Sequence, residues 1–267
     1  MGLSMNRRNL IAFGGLVWVA FPRVGHSQII TPPESLKLEG YFAFPTLRTG
    51  YAPGTVLQRY EQSGIQKTRV FLELNDLELN PPVVLVRIEE EIPASTYSTS
   101  SSIGGAIDFL LAASGLRPKV EANYSSGSTL AIKYGRGYRE SIKGADVRRV
   151  IQAALKRGLP LPGQYSLVTS TISFRKIEAR LSSRMGMALQ ADLTAATAKA
   201  DGGVKIVSDQ LGTLVPREFS SPMRAFYSWD EIRPTSGAAV GPGDASFDLV
   251  PGQVELPIEP VLISTQP

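Results

Sequence analysis

The 267-residue chain contains no cysteine and a single histidine, His26. That histidine lies in a segment that reads as a removable export signal, so the mature chain is expected to carry neither side chain. Their absence excludes serine–histidine and cysteine–histidine nucleophile pairs, zinc sites built from nitrogen and sulfur, and cysteine-ligated iron–sulfur clusters. Without thiols an oxidising compartment supplies no cross-links, and stability has to come from the core. A bilayer-crossing helix needs about 20 apolar residues, whereas the apolar run Leu10–Phe21 has 12; no transmembrane helix is expected in the mature chain. The phosphate-cradling Gly-x-x-x-x-Gly-Lys pattern is also missing, and Gly135-Arg136-Gly137 reads as a tight turn.

What remains is carboxylate, lysine, serine and tyrosine chemistry, and it does not converge. Glu89-Glu90-Glu91 is a poor calcium cluster, because neighbouring strand residues point to opposite faces. Nothing in the order of residues brings Glu39, Glu73 or Asp108 together as an acid–base pair. The expectation is a non-enzymatic protein with no cofactor and no metal site.

The start of the chain sets the expected compartment. Arg7 and Arg8 precede the apolar run, and Pro22, Arg23, Gly25 and Ser27 follow it. Basic, then apolar, then small is the layout of a cleavable secretory signal. The paired arginines followed by Asn9-Leu10-Ile11 resemble a twin-arginine signal. Cleavage after Ser27 leaves residues 28–267, periplasmic or secreted. Three of the 28 basic residues leave with the signal and none of the 24 acidic ones does, so the mature net charge falls from +4 to about +1. Near-neutral charge and an exported location disfavour nucleic acid as a partner.

The body is expected to be one α+β domain over residues 28–232, a mostly antiparallel twisted sheet with two or three packed helices. Segments 54–60 and 67–74 read as strands joined around Ser63-Gly64, and 83–88 as another. Ser95 to Ser102 is rich in serine, threonine and tyrosine and reads as a loop. Gly105 to Ser114 has helical spacing, with Gly115 as a cap. The strongest helix is Ala145 to Arg157, where Val147, Val150, Ile151, Ala154 and Leu155 form an apolar stripe between Asp146 and Lys156. Tyr165 to Leu181 reads as a long strand, or two, and Met187 to Ala198 as a possible helix. Short strands are expected at 204–207 and 213–215, and Met223 to Ile232 closes the domain.

Three features suggest binding surfaces. Val120, Ala122 and Tyr124 alternate with polar residues, then Leu130, Ile132 and Tyr134 do the same after Ser125-Ser126-Gly127, which predicts an amphipathic hairpin. Such a face packs on a soluble core or lines a membrane. From Lys133 to Arg157 eight basic residues (Lys133, Arg136, Arg139, Lys143, Arg148, Arg149, Lys156, Arg157) face two acidic ones, Glu140 and Asp146. That run is either a solvated face or a contact for anionic lipid or an acidic partner. Residues 233–267 form a proline-rich acidic tail in which Val254, Leu256 and Ile258 alternate with Glu255, Pro257 and Glu259. Disorder is the default for such an end, and docking as a strip on the body is the alternative.

The order of Ile107-Asp108-Phe109-Leu110, the alternating hairpin, the helix at 145–157, Tyr165-Ser166-Leu167-Val168-Thr169-Ser170, Gly203-Val204-Lys205-Ile206 and Met223-Arg224-Ala225-Phe226-Tyr227 resembles the pore-forming domain of gasdermins and small bacterial gasdermin-like proteins. The resemblance implies membrane-inserting hairpins, a basic surface for acidic lipids and a C-terminal segment that restrains the soluble form. The chain departs from it in having an export signal, no N-terminal cysteine for lipidation and no recognisable protease site before the tail. Two functions follow as expectations: an exported lipid-binding or pore-forming protein, able to form oligomers, or a periplasmic interaction module that meets an envelope protein.

Overall fold

The computed structural model describes residues 30–99, 102, 103, 106, 129–158, 164–181, 207–209, 212–234 and 247–258. The described residues form an open, sheet-rich α+β fold in which every strand pairing is antiparallel. In chain order the strands are β1 (Phe42–Arg48), β2 (Val56–Gln62), β3 (Ile65–Leu72), β4 (Val86–Glu91), β5 (Ser95–Tyr97), β6 (Leu130–Lys133), β7 (Arg136–Ser141), β8 (Gln164–Leu181), β9 (Val207–Asp209), β10 (Gly212–Pro234) and β11 (Phe247–Pro251). Two α-helices have described bounds, the short α1 (Glu34–Leu38) and the longer α2 (Gly144–Lys156), and Ser102, Ile103 and Ala106 are also helical.

β8 is the spine. One of its edges pairs with β10 from Tyr165↔Ile232 to Leu181↔Thr213. The other pairs in turn with β2, β7 and β6. Outside these lie β3, β4 and β5, while β1, β9 and β11 share the far edge of β10.

Alternation along the strands explains why both faces of the sheet are covered. Phe226 and Tyr227 are adjacent on β10, fully buried, and enter different clusters; Val56 and Leu57 on β2 do the same. One face carries α2, whose Val147, Val150, Ile151 and Ala154 pack on Val56, Tyr165, Leu167 and Ile232. Further along, Ile30, Leu36 and Tyr41 cover Ile132, Tyr134, Ile172 and Phe174. The opposite face holds Phe44, Tyr51, Leu57, Val168, Tyr227 and Trp229.

Some sequence expectations hold and others change. The β2–β3 turn sits at Ser63-Gly64, with φ of 54° and 75°, so both turn residues take the left-handed conformation that a tight hairpin demands. The strand expected at 83–88 is displaced to Val86–Glu91, because Val83 and Leu85 pack into the α2 cluster while the glutamates pair across to β7. Ser95–Tyr97 is a strand inside the expected loop, with both Ser95 and Tyr97 buried. The separate strands at 213–215 and 223–232 are one strand, β10. Pro216 and Pro222 do not break it: β9 reaches only to Leu214 and β1 begins at Arg224, so each proline lies where β10 has no described neighbour on its second edge.

The expected hairpin is described only on its second arm. Leu130–Lys133 has β5 on one edge and β8 on the other, at Leu130↔Tyr97 and Leu130↔Leu181. Both ladders of β6 are therefore occupied by described strands; Val120, Ala122 and Tyr124 lie outside the described residues. Of the helix expected at 105–114 only Ala106 is described, and it is helical and buried. The helix expected at 187–198 and the signal at 1–27 lie outside the described residues as well.

Candidate membrane-facing surface and tail groove

The sequence treats the basic run as one patch, and the fold divides it. Arg139 on β7 is drawn into a polar node. Its guanidinium donates to Glu39 at 2.5 Å, to Glu90 at 3.0 Å and to the Tyr41 hydroxyl at 3.3 Å. Tyr41 in turn lies 2.7 Å from Ser170 Oγ. Partial burial works against the Arg139 charge, but its hydrogen bonds to Glu39 and Glu90 prevail and raise its pKa. Desolvation raises Tyr41 despite the hydrogen bond with Ser170, so its hydroxyl stays protonated. This node ties the chain after α1 to the sheet.

Arg136 reaches Glu89 at 3.7 Å, Arg149 binds Asp146 at 2.6 Å and the Pro81 carbonyl, and Arg157 lies 3.8 Å from Glu78. Of the eight basic residues in that run, those without an ion-pair partner among the described residues are Lys133, Lys143, Arg148 and Lys156, all exposed. Arg148 and Lys156 project from the solvent side of α2, and Lys143 is its N-cap. Lys133 stands apart, at the end of β6. There it lines an open cleft of about 460 Å³ with Glu91, Ile92, Pro93, Lys176 and Glu178.

The predicted hairpin face is inward-facing where it is described. Leu130, Ile132 and Tyr134 are each fully buried, with the Tyr134 ring 5.0 Å from Phe174 and 5.3 Å from Phe226. The Tyr134 hydroxyl donates to Ser95 Oγ at 3.2 Å, and Ser95 Oγ donates to the Thr31 carbonyl at 3.1 Å. Complete burial raises the Tyr134 pKa well above its ordinary value, so this core carries no charge there.

The feature that sequence reading left open is the tail. β11 pairs with β10 from Asp230↔Pro251 to Pro234↔Phe247. The chain then crosses the face opposite α2, and Leu256 and Ile258 bury at 3% and 6% exposure while Val254 remains 63% exposed. Leu256 and Ile258 pack with Phe44, Tyr51, Leu57, Val168, Tyr227 and Trp229. The Trp229 indole N–H donates to the Val254 carbonyl at 3.1 Å, and the Leu256 amide donates to the Tyr227 hydroxyl at 3.1 Å. The Gly252 amide donates to the Trp229 carbonyl, and the Thr68 amide to the Pro257 carbonyl.

Trp229 is held from the body as well. Arg59 places its guanidinium 5.5 Å from the indole centroid and donates to Glu231 at 2.6 Å. Partial burial opposes ionisation of Glu231, but hydrogen bonds from Arg233 and Arg59 outweigh it and lower its pKa. The neighbouring Asp230 has no such partner among the described residues, and desolvation raises its pKa. The sequence signal for this groove was present in the alternation of Tyr227 and Trp229 and of Leu256 and Ile258. Alternation does not say which strips meet.

Among the described residues no group of acidic or histidine side chains is placed to hold a metal ion, and no helix is long and apolar enough to cross a membrane. No family model and no curated protein matches the chain. Among solved structures, it is similar to a bacterial gasdermin from Bradyrhizobium tropiciagri, with a TM-score of 0.50 and 14% identity. The match covers 80% of this chain and 88% of that one. At that identity the likeness is one of fold, and the chain resembles the gasdermin fold weakly but over most of its length.

Proposed function

We propose that this chain is an exported, non-enzymatic, gasdermin-like protein that perturbs membranes, held soluble by its C-terminal tail. The observation that carries the reading is the fold likeness to a bacterial gasdermin across 80% of the chain. Two local features support it. The tail is seated in an apolar groove rather than trailing from the body, as a restraint requires. The three cations on and beside α2, Lys143, Arg148 and Lys156, are exposed and offer a small basic surface to anionic headgroups. Oligomers belong to this reading, because strand pairs spanning a bilayer must close their edges.

Vesicle leakage tests it. The full chain and a chain ending at Pro234 are added to dye-loaded vesicles rich in anionic lipid. Leakage from the shortened chain and little from the full one is expected; absence of leakage and of vesicle binding by both ends the proposal.

A second reading is a periplasmic interaction module. It is favoured by the cleft at Lys133, which is also lined by the ion-paired Lys176 and Glu178. A stoichiometric envelope partner recovered with the chain from its native host would favour this reading over the first.

A further inference from the structure

Residues 252–258 are held by recognition rather than by a ladder. Beyond β11 the tail makes one isolated bridge, between Ile258 and Thr68. Its contacts with the body include single hydrogen bonds at Gly252, Val254, Leu256 and Pro257, together with two buried side chains, Leu256 and Ile258. Gly252 lies so close to the Trp229 ring that a Cβ there would approach it to 2.1 Å. The groove thus selects a residue with no side chain at 252 and apolar side chains at 256 and 258, and reads backbone between them. Backbone bonds for affinity and alternate pockets for specificity are how sheets recognise extended peptides.

The walls belong to the body. Phe44, Leu57, Val168 and Tyr227 come from β1, β2, β8 and β10, whose pairing with one another does not involve residues 252–258. Arg59 and Glu231 brace Trp229 independently of the tail. A site organised before its ligand arrives loses less entropy on binding.

We infer that this groove is a peptide-recognition site for an extended Gly-x-x-x-Leu-Pro-Ile segment, and that a partner protein presenting such a segment binds it in trans by displacing the chain's own tail. The tethered tail competes at an effective concentration of order millimolar. A partner therefore succeeds only by adding contacts beyond the segment, which makes release selective. The consequence for membranes rests on the function proposed above; the binding itself does not.

The test uses the full chain and a fluorescein-labelled peptide of the sequence Phe247–Ile258, read by anisotropy. A full-length variant carrying Leu256→Glu and Ile258→Glu empties the groove. It is expected to bind the peptide at least tenfold more tightly than the unmodified chain does. Adding Trp229→Ala, or scrambling the peptide, is expected to abolish that binding. If the double variant does not keep the parent circular dichroism, Leu256→Ala serves instead, with an intermediate gain. No binding by a folded variant, or equal binding of the scrambled peptide, overturns the inference. Vesicle leakage on the same samples separates the two ideas. Peptide binding without leakage keeps the groove and removes the restraint, whereas leakage from the emptied variant without peptide binding does the reverse.

Discussion

Gly252, Trp229 and Asp230 show how much of this molecule depends on single positions. Gly252 needs no unusual backbone angle; it needs to be small, because a Cβ would meet three atoms of the Trp229 ring within 2.6 Å. Gly252→Ala is therefore expected to lift the tail, seen as faster proteolysis within residues 252–258 than in the unmodified chain. Trp229 is 4% exposed and is shared between tail and body, so Trp229→Ala should cost about 3–5 kcal/mol in chemical denaturation. Asp230 gives the pH dependence. Its raised pKa means that the folded chain holds the proton more tightly than the unfolded one, so stability from this group is gained as pH falls and lost as pH rises through the folded value. Asp230→Asn should raise the melting temperature at neutral pH by about 1–2 °C, a modest change for a partly buried group. The difference should vanish below the ordinary carboxylate range. Equal melting temperatures across the whole pH range would remove Asp230 from the account.

At the scale of elements, the strands around β8 share a level at which pairing stops. β4 and β5 are interrupted at Ile92–Ala94, β6 and β7 at Tyr134-Gly135, and the β8–β10 ladder skips Arg175 and residues 219–222. The register on the β6–β7 side does not slip: Glu91↔Arg136 and Ser95↔Ile132 lie on one continuous alignment. Gly135, at φ 63°, and Pro93 account for two of the interruptions, since neither suits a regular central ladder. α2 is a simpler case, with one face anchored and the other basic. In a chain ending at Pro234, Lys143→Gln, Arg148→Gln and Lys156→Gln together should weaken binding to anionic vesicles by about 100-fold, from roughly 1 kcal/mol per charge near such a surface. Their exposure leaves the melting temperature unchanged. Unaltered vesicle binding would move the lipid contact elsewhere.

For the molecule as a whole, tail and body form one energetic unit. Removing Leu256 and Ile258 from the groove exposes Tyr227, Trp229, Phe44 and Leu57 together, and contiguous apolar surface of that kind seeks a partner, a membrane or another copy. A chain carrying Leu256→Glu and Ile258→Glu should elute as a larger species or bind vesicles, measured by light scattering and flotation, while the unmodified chain does neither. A monomer indifferent to vesicles would show that the tail covers the groove without restraining anything.

What the sequence settled by itself was local. The stripe Val147, Val150, Ile151 and Ala154 marked α2, the long alternating run marked β8, and Ser63-Gly64 marked the β2–β3 turn, because each depends on residues a few positions apart. The lack of cysteine excluded thiol and thiolate-metal chemistry with no fold needed. Tertiary structure decided the rest: β6 pairs with β5 and β8, the basic run divides between ion pairs and exposed cations, and Leu256 and Ile258 find Tyr227 and Trp229. A period of two fixes which face a strand presents and says nothing about the neighbour that covers it. That choice belongs to residues distant in the chain, and it is where the candidate function of this protein resides.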